Sequence, residues 1–469
     1  MNVNVIKTTK FWLIIFLIYF WIITFYGAYN LPYGFEWSEP PHFQMAEYLY
    51  VNKNIPKVGE DYKYIFKDPY LINRIGQYAS FSPLPYILHS ITFSFYKLNP
   101  EKYIFFARIG SIIWYSGILI IIYLSVKLIT SNFIIIIGTI ALLAFNISFQ
   151  YSSSYVNSDA MTVFFSQIIV YLILYFTLKK NELTFKHTAM LGLLLSVIML
   201  LKPYAYFIYP ILLIFYFINK KKFGSSKIFI ANLTIFIFIS ILPITLWYYR
   251  NIKIYGEPFA AKANSDYIKS VKTIVSSKIV NGLPTVKKKI FGISIVNYKF
   301  NELFNFWEIR QALVREYFTR RIWAYEYFFK HQYTIRNYII IILLTMIGLM
   351  KYLFLIKKNL ADTSYPERIM FYISTLSVGA ILLNLVCGKI LFNNFYHGHY
   401  LFIISLQINY LIFFGVIHSL EWKKIGNYLA AGFIIYLILV NVAYNYIFLF
   451  HYDALKKFDY AFLKIFLYF

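Results

Sequence analysis

Long apolar runs, nearly free of charge, recur along this chain, and they constrain its fold more than any other feature. A helix crosses the hydrocarbon core of a bilayer with about 20 apolar residues. Runs near that length lie at Phe11–Tyr29, Tyr103–Ile129, Phe133–Phe149, Ala160–Leu178, Thr188–Leu201, Pro203–Ile218, Ile228–Trp247, Tyr338–Ile356, Ile369–Leu391, Tyr400–His418 and Tyr428–Phe448. The pattern predicts an all-α polytopic membrane protein with about 11 transmembrane helices. Thr188–Leu201 and Pro203–Ile218 are short and have only Lys202 between them, so they read as fused or broken helices. Leu84–Tyr96 is too short to span and opens on Pro83 and Pro85, which suits a helix lying at the membrane surface.

Charge supports this class. A soluble domain carries roughly a quarter charged residues, whereas this chain carries 14%. Its formal net charge of +25 would suggest nucleic acid in a soluble protein. Here many of the lysines sit in short turns between apolar runs, where they fix orientation, and nucleic-acid binding is rejected. Lys220, Lys221, Lys222 and Lys227 read as cytoplasmic anchors facing anionic lipid. The lone cysteine, Cys387, excludes an intramolecular disulfide. The first run follows Lys7 and Lys10 and is longer than a signal-peptide core, so it reads as a retained span with its N-terminus in the cytoplasm.

That orientation leaves two long segments on the extracytoplasmic side of the cell membrane, 30–102 and 250–336. No internal repeat or soluble-domain boundary appears, and residues 1–469 read as one membrane domain capped by these segments. The second segment contains "VKKKIFG" and "REYFTRRIW". Its lysines read as a surface-lying stretch on anionic lipid, and its arginines are open to capturing phosphate.

The first outer segment begins "GFEWSEPPHFQMAEYL". Ser38 suits a helix cap and Pro40 and Pro41 suit a first turn, so a helix is expected to about Val51. Glu39 then stands at the positive end of the helix dipole, with His42 on the same face. Phe43, Ala46, Leu49 and Tyr50 form an apolar stripe able to lie on the membrane. Capping logic alone makes Glu39 a helix-start acid. Three further features on the same side give it company: Asp159 at the start of a span, Lys202 between two spans, and Arg250 where a span ends in "LWYYRNIKIYGEPF". Two carboxylates and two cations at one membrane face suit a reaction in which an acid activates a hydroxyl while cations hold a phosphate.

In this order the motifs resemble those of the GT-C type polyprenyl-phosphate-dependent glycosyltransferases, in the branch with protein O-mannosyltransferases and aminoarabinose transferases. The family's Asp-Glu-Pro-x-His-Phe reads here Ser38-Glu39-Pro40-Pro41-His42-Phe43, and "SPLPYIL" stands for its Pro-Pro-Leu-Tyr-Tyr-like segment. Its Arg-x-x-Ser is Arg108 and Ser111, its Asn-x-Asp is Asn157-Ser158-Asp159, and its Thr-Lys is Leu201-Lys202. Its Arg-Asn…Tyr-Gly-Asp-Pro is Arg250-Asn251…Tyr255-Gly256-Glu257-Pro258, and its Gln-Gly-Arg-Tyr-Leu is His397-Gly398-His399-Tyr400-Leu401. The matches run from Glu39 to Leu401. Two departures stand out: Ser38 replaces the family's leading acid, leaving Glu39 or Glu36 as base, and His399 replaces its late arginine.

The resemblance implies a donor sugar on a polyprenyl phosphate, a lipid, glycan or protein acceptor, and inversion in a single displacement. Glu39 would take or orient the acceptor proton, and His42 and Asp159 would position the acceptor or the base. Lys202, Arg250, Asn251, Tyr255, His399 and Tyr400 would hold the lipid phosphate. No cofactor is required. No metal is expected, since Glu39, His42, His397 and His399 show no strong ligand spacing. The alternatives are a flippase or transporter of lipid-linked saccharide, which would need ionisable groups deep in the spans, and an inactive relative that has lost the acid at Ser38.

Overall fold

A computed structural model describes residues 3–31, 39–58, 76–201, 208–258, 365–392, 404–418 and 423–450, together with scattered positions between them. Apart from a short hairpin pairing Lys288–Ile290 with Ile293–Ile295, the described elements are helical. The expected span at Tyr338–Ile356 lies mostly outside the described residues.

The fold is that of a helical membrane protein. Among the described residues, four helices are long and apolar enough to cross a bilayer, or five if a bent pair counts as one span. They are α1 (Val3–Asn30), α4 (Tyr103–Ile129), α7 (Asp159–Lys179) and α10 (Ser226–Tyr255). Between them lie α2 (Glu39–Asn52) and α3 (Ile87–Phe93), the bent pair α5 (Phe133–Ala144) and α6 (Ile147–Ser153), and the shorter α8 (Phe185–Leu201) and α9 (Ile208–Ile218). The C-terminal part gives α11 (Tyr365–Phe392), α12 (Ser405–His418) and α13 (Lys423–Phe450).

Two elements differ from their expected form for identifiable reasons. Phe133–Phe149 is not one straight span, since α5 and α6 meet at 55°. Asn146 causes the break: its side chain accepts from the Phe149 amide and starts a new helix. The second difference is at the end of α10. Arg250, Asn251 and Tyr255 belong to its last turns rather than to the long segment 250–336. The helix stops at Gly256, whose φ of 77° is the left-handed conformation that ends helices, and whose amide donates to the Ile252 carbonyl.

Lipid supplies little hydrophobic drive between helices, so close packing carries their association. At Gly192 of α8 a Cβ would stand 3.1 Å from Ile239 of α10. The side chains of α6 and α13 bond reciprocally, Gln150 Nε2 to Asn441 Oδ1 at 3.2 Å and Asn441 Nδ2 to Gln150 Oε1 at 3.1 Å, and the Tyr19 hydroxyl donates to Asn441 Oδ1 at 2.6 Å. The connections give the bundle two ends. The C-terminus of α1 and the N-termini of α4 and α7 share one end, and the C-termini of α4 and α7 share the other.

Candidate functional site

The first end is organised around a buried ion pair. Arg108, in the second turn of α4, holds Glu39 with both arms of its guanidinium: Nε to Oε1 at 2.7 Å and Nη2 to Oε2 at 2.6 Å. Glu39 is 0% and Arg108 1% exposed. Arg108 Nη1 also donates to the Ala28 and Leu31 carbonyls at 2.9 and 2.7 Å, which satisfies the end of α1. The Val156 amide donates to Glu39 Oε1 at 3.1 Å. One pair thus ties together the end of α1, the start of α2, α4 and the turn before α7.

That turn is built by Asn157. Its Oδ1 accepts from the Asp159 and Ala160 amides and caps α7, while its Nδ2 donates to the Ser152 carbonyl at 2.6 Å. Ser111 donates to the Tyr155 carbonyl at 2.7 Å. The buried imidazole of His89 bridges from α3, with Nδ1 2.8 Å from the Ala107 carbonyl and Nε2 3.2 Å from the Asn157 carbonyl. Burial lowers its pKa, against the pull of those carbonyls and of Glu39. Gly110 makes this contact possible, since a Cβ there would stand 2.6 Å from His89 Nδ1.

His42 faces a different set of groups from Glu39. Its Nδ1 lies 2.7 Å from the Tyr86 hydroxyl, its ring stacks on Tyr86 at 5.6 Å, and Tyr78 meets it edge-on at 4.8 Å. Burial, then the neighbouring Tyr78, raises the Tyr86 pKa well above its ordinary value, and Asp159 adds to the rise. Tyr86 therefore keeps its proton and stays a neutral hydroxyl beside the His42 ring. Asp159 is half-buried, in contrast to the fully buried Glu39.

The expected apolar stripe of α2 does not face lipid. Residues Glu39 to Tyr48 are buried, and Phe43 packs against Phe93 and Tyr103 while Tyr50 packs against Phe93 and Tyr96. Aromatic rings from the neighbouring segment cover the stripe, so the helix is a folded part of the bundle end rather than a surface float.

The end of α10 docks on the segment that joins α2 to α3. Arg250 stacks over Trp247 at 4.7 Å and donates to the Pro56 carbonyl at 2.9 Å and to Asn251 Oδ1 at 3.0 Å. Trp247 and Asn251 both donate to the Ser80 carbonyl at 3.1 Å, and the Tyr255 hydroxyl accepts from the Val58 amide at 3.0 Å. The structure thus gathers Glu39, His42 and Asp159 at one end, and joins Arg250, Asn251 and Tyr255 to the segment that follows α2. Lys202, His399 and Tyr400, with Glu36 and Ser38, lie outside the described residues.

Sequence reasoning gave Arg108 no role, and did not single out Tyr86 or His89. A signal for Arg108 was present: an arginine inside an apolar run must find a counter-charge. Among the described residues no three His, Cys, Asp or Glu side chains gather as a metal centre would need. No family model matches the chain, and no curated protein or solved structure matches it. The geometry of the site carries the functional argument.

Proposed function

We propose that this chain is an integral membrane glycosyltransferase that moves a sugar from a polyprenyl phosphate to a hydroxyl at the extracytoplasmic face. The observation that carries the reading is the Glu39–Arg108 pair, which fixes the start of α2 and the turn before α7 and so places His42, Tyr86 and Asp159 together at one end of the bundle. Glu39 is a positioning residue in this reading, because both its oxygens are engaged by Arg108 and Val156. Asp159, the half-buried acid, takes the acceptor proton. The acceptor oxygen bonds to the anomeric carbon, the bond from that carbon to the phosphate oxygen breaks, and the polyprenyl phosphate leaves with the electron pair. Arg250 and Lys202 supply the positive charge that receives it, and His399 adds to it when protonated.

The test is transfer of radiolabelled sugar from a panel of polyprenyl-phosphate sugars by the purified wild type, Asp159→Asn and Asp159→Glu. A general base contributes about 10²–10⁴-fold, so Asp159→Asn is expected to lose at least about 100-fold. Undiminished transfer by Asp159→Asn removes it as the base. A folded wild type that uses no donor overturns the transferase reading. The 55° break between α5 and α6 favours a second reading, passage of a lipid-linked sugar across the membrane, because broken helices are a device of transporters. Scrambling of such a lipid in proteoliposomes without transfer would select it.

A further inference from the structure

The opposite end of the bundle carries a surface that this function does not use. Two turns there, one between α7 and α8 and one between α9 and α10, are fastened into a single platform. The clamp is Lys222, whose ammonium donates to the Phe176, Thr177 and Lys180 carbonyls at 3.1, 2.6 and 2.8 Å. The Lys222 carbonyl accepts from the Leu183 amide at 2.9 Å, and Asn219 Nδ2 donates to Thr177 Oγ1 at 3.2 Å. This holds lysines of separate turns at fixed spacing: Lys179, Lys186, Lys220, Lys221 and Lys227 are exposed, and Lys180 is half-buried. Glu182 is the sole acid in residues 179–230.

Helix polarity makes this arrangement unusual. The N-termini of α8 and α10 both open on the platform, and the N-terminus of a helix is its positive end. Neither carries an acid in its first turn. Lys186 and Lys227 stand there instead. Each lysine is at the end of the helix where its charge is unfavourable, among other lysines, a setting that a bound anion would relieve. Beside the lysines, Phe217, Ile218 and Ile228 are exposed at the same level. A charged headgroup site bordered by apolar side chains fits a lipid better than a soluble anion.

We propose that the platform of residues 179–186 and 220–227 binds the phosphate headgroup of an anionic phospholipid, whose acyl chains run along Phe217, Ile218 and Ile228. The inference is independent of the proposed transfer reaction.

The test uses the full chain in detergent, titrated with phosphatidylglycerol, phosphatidylcholine or inorganic phosphate, with retained lipid counted by native mass spectrometry. Saturable retention of phosphatidylglycerol is expected, with weak retention of phosphatidylcholine and no competition by inorganic phosphate. Each lysine near a membrane surface is worth about five-fold in binding, so Lys186→Gln/Lys227→Gln should weaken phosphatidylglycerol about 25-fold, and Lys186→Arg/Lys227→Arg should preserve it. A second readout separates the site from general charge. Without anionic lipid, the Gln variant should melt at the same or a higher temperature than wild type, because the misplaced charges are gone. Equal retention of the two lipids, unchanged affinity in the Gln variant, or full competition by inorganic phosphate would overturn the proposal. Binding of an acidic peptide in place of phosphatidylglycerol would also overturn it, assigning the surface to a protein partner.

Discussion

Replacing Glu39 by Gln tests the centre of this structure most directly. The substitution keeps the shape of the side chain and one carbonyl oxygen, so the Val156 amide can still be satisfied. What it removes is the charge facing Arg108, which stays buried at 1% exposure. Opposite charges about 4 Å apart at an effective dielectric of 20 attract by about 4 kcal/mol. Removing one member of a buried pair usually costs about 3–5 kcal/mol, because the other is left uncompensated. Glu39→Gln is therefore expected to lower stability by that amount, read as denaturant or thermal unfolding in detergent. Arg108→Met should cost at least as much, since the Ala28 and Leu31 carbonyls also lose their donor. The double variant removes both charges, and should be less destabilised than the sum of the singles by about 1–3 kcal/mol. If Glu39→Gln unfolds within 0.5 kcal/mol of wild type, roughly the range of an ordinary surface substitution, or if the double variant is additive, the pair is not what holds this end together.

Two other outcomes follow from the same region. Gly110→Ala forces a Cβ to 2.6 Å from His89 Nδ1, and should destabilise by about 1–3 kcal/mol, measured by the same melt. Burial depresses the His89 pKa in the fold, so the unfolded chain binds its proton more readily; the stability this contributes is present above about pH 6.5 and is lost as pH falls below it. The melting temperature should drop between pH 7 and 5.5, and His89→Gln should flatten that slope.

The parts of the fold that local chemistry specifies were legible. The limits of α4 match the apolar run Tyr103–Ile129, and the helix at Glu39 begins where the acid and the two prolines place it. The apolar run of α10 ends at Trp247, but the helix continues to Tyr255 through polar residues. Those residues stay helical because Asn251 and Tyr255 find partners in the distant positions Ser80 and Val58. The same limit applies to the site. Glu39 was visible as a candidate, but its partner lies 69 residues away, and no rule of local spacing connects them. The expectation that α2 would lie on lipid failed for this reason too: amphipathic spacing identifies an apolar face but not whether lipid or Phe93 covers it.

The guanidinium of Arg108 also sets an order of assembly. It supplies the donors for the last carbonyls of α1 and the counter-charge for the first residue of α2, and it is made after both. At roughly 5–20 residues per second, the 69 residues between Glu39 and Arg108 take several seconds to synthesise. During that interval α1 can enter the membrane, but its end is unfinished and the acid behind it is without its counter-charge. The segment after α1 can close only when α4 delivers its arginine, so a nascent chain stopped before Arg108 would hold its first span and lack the fold of the segment that follows it.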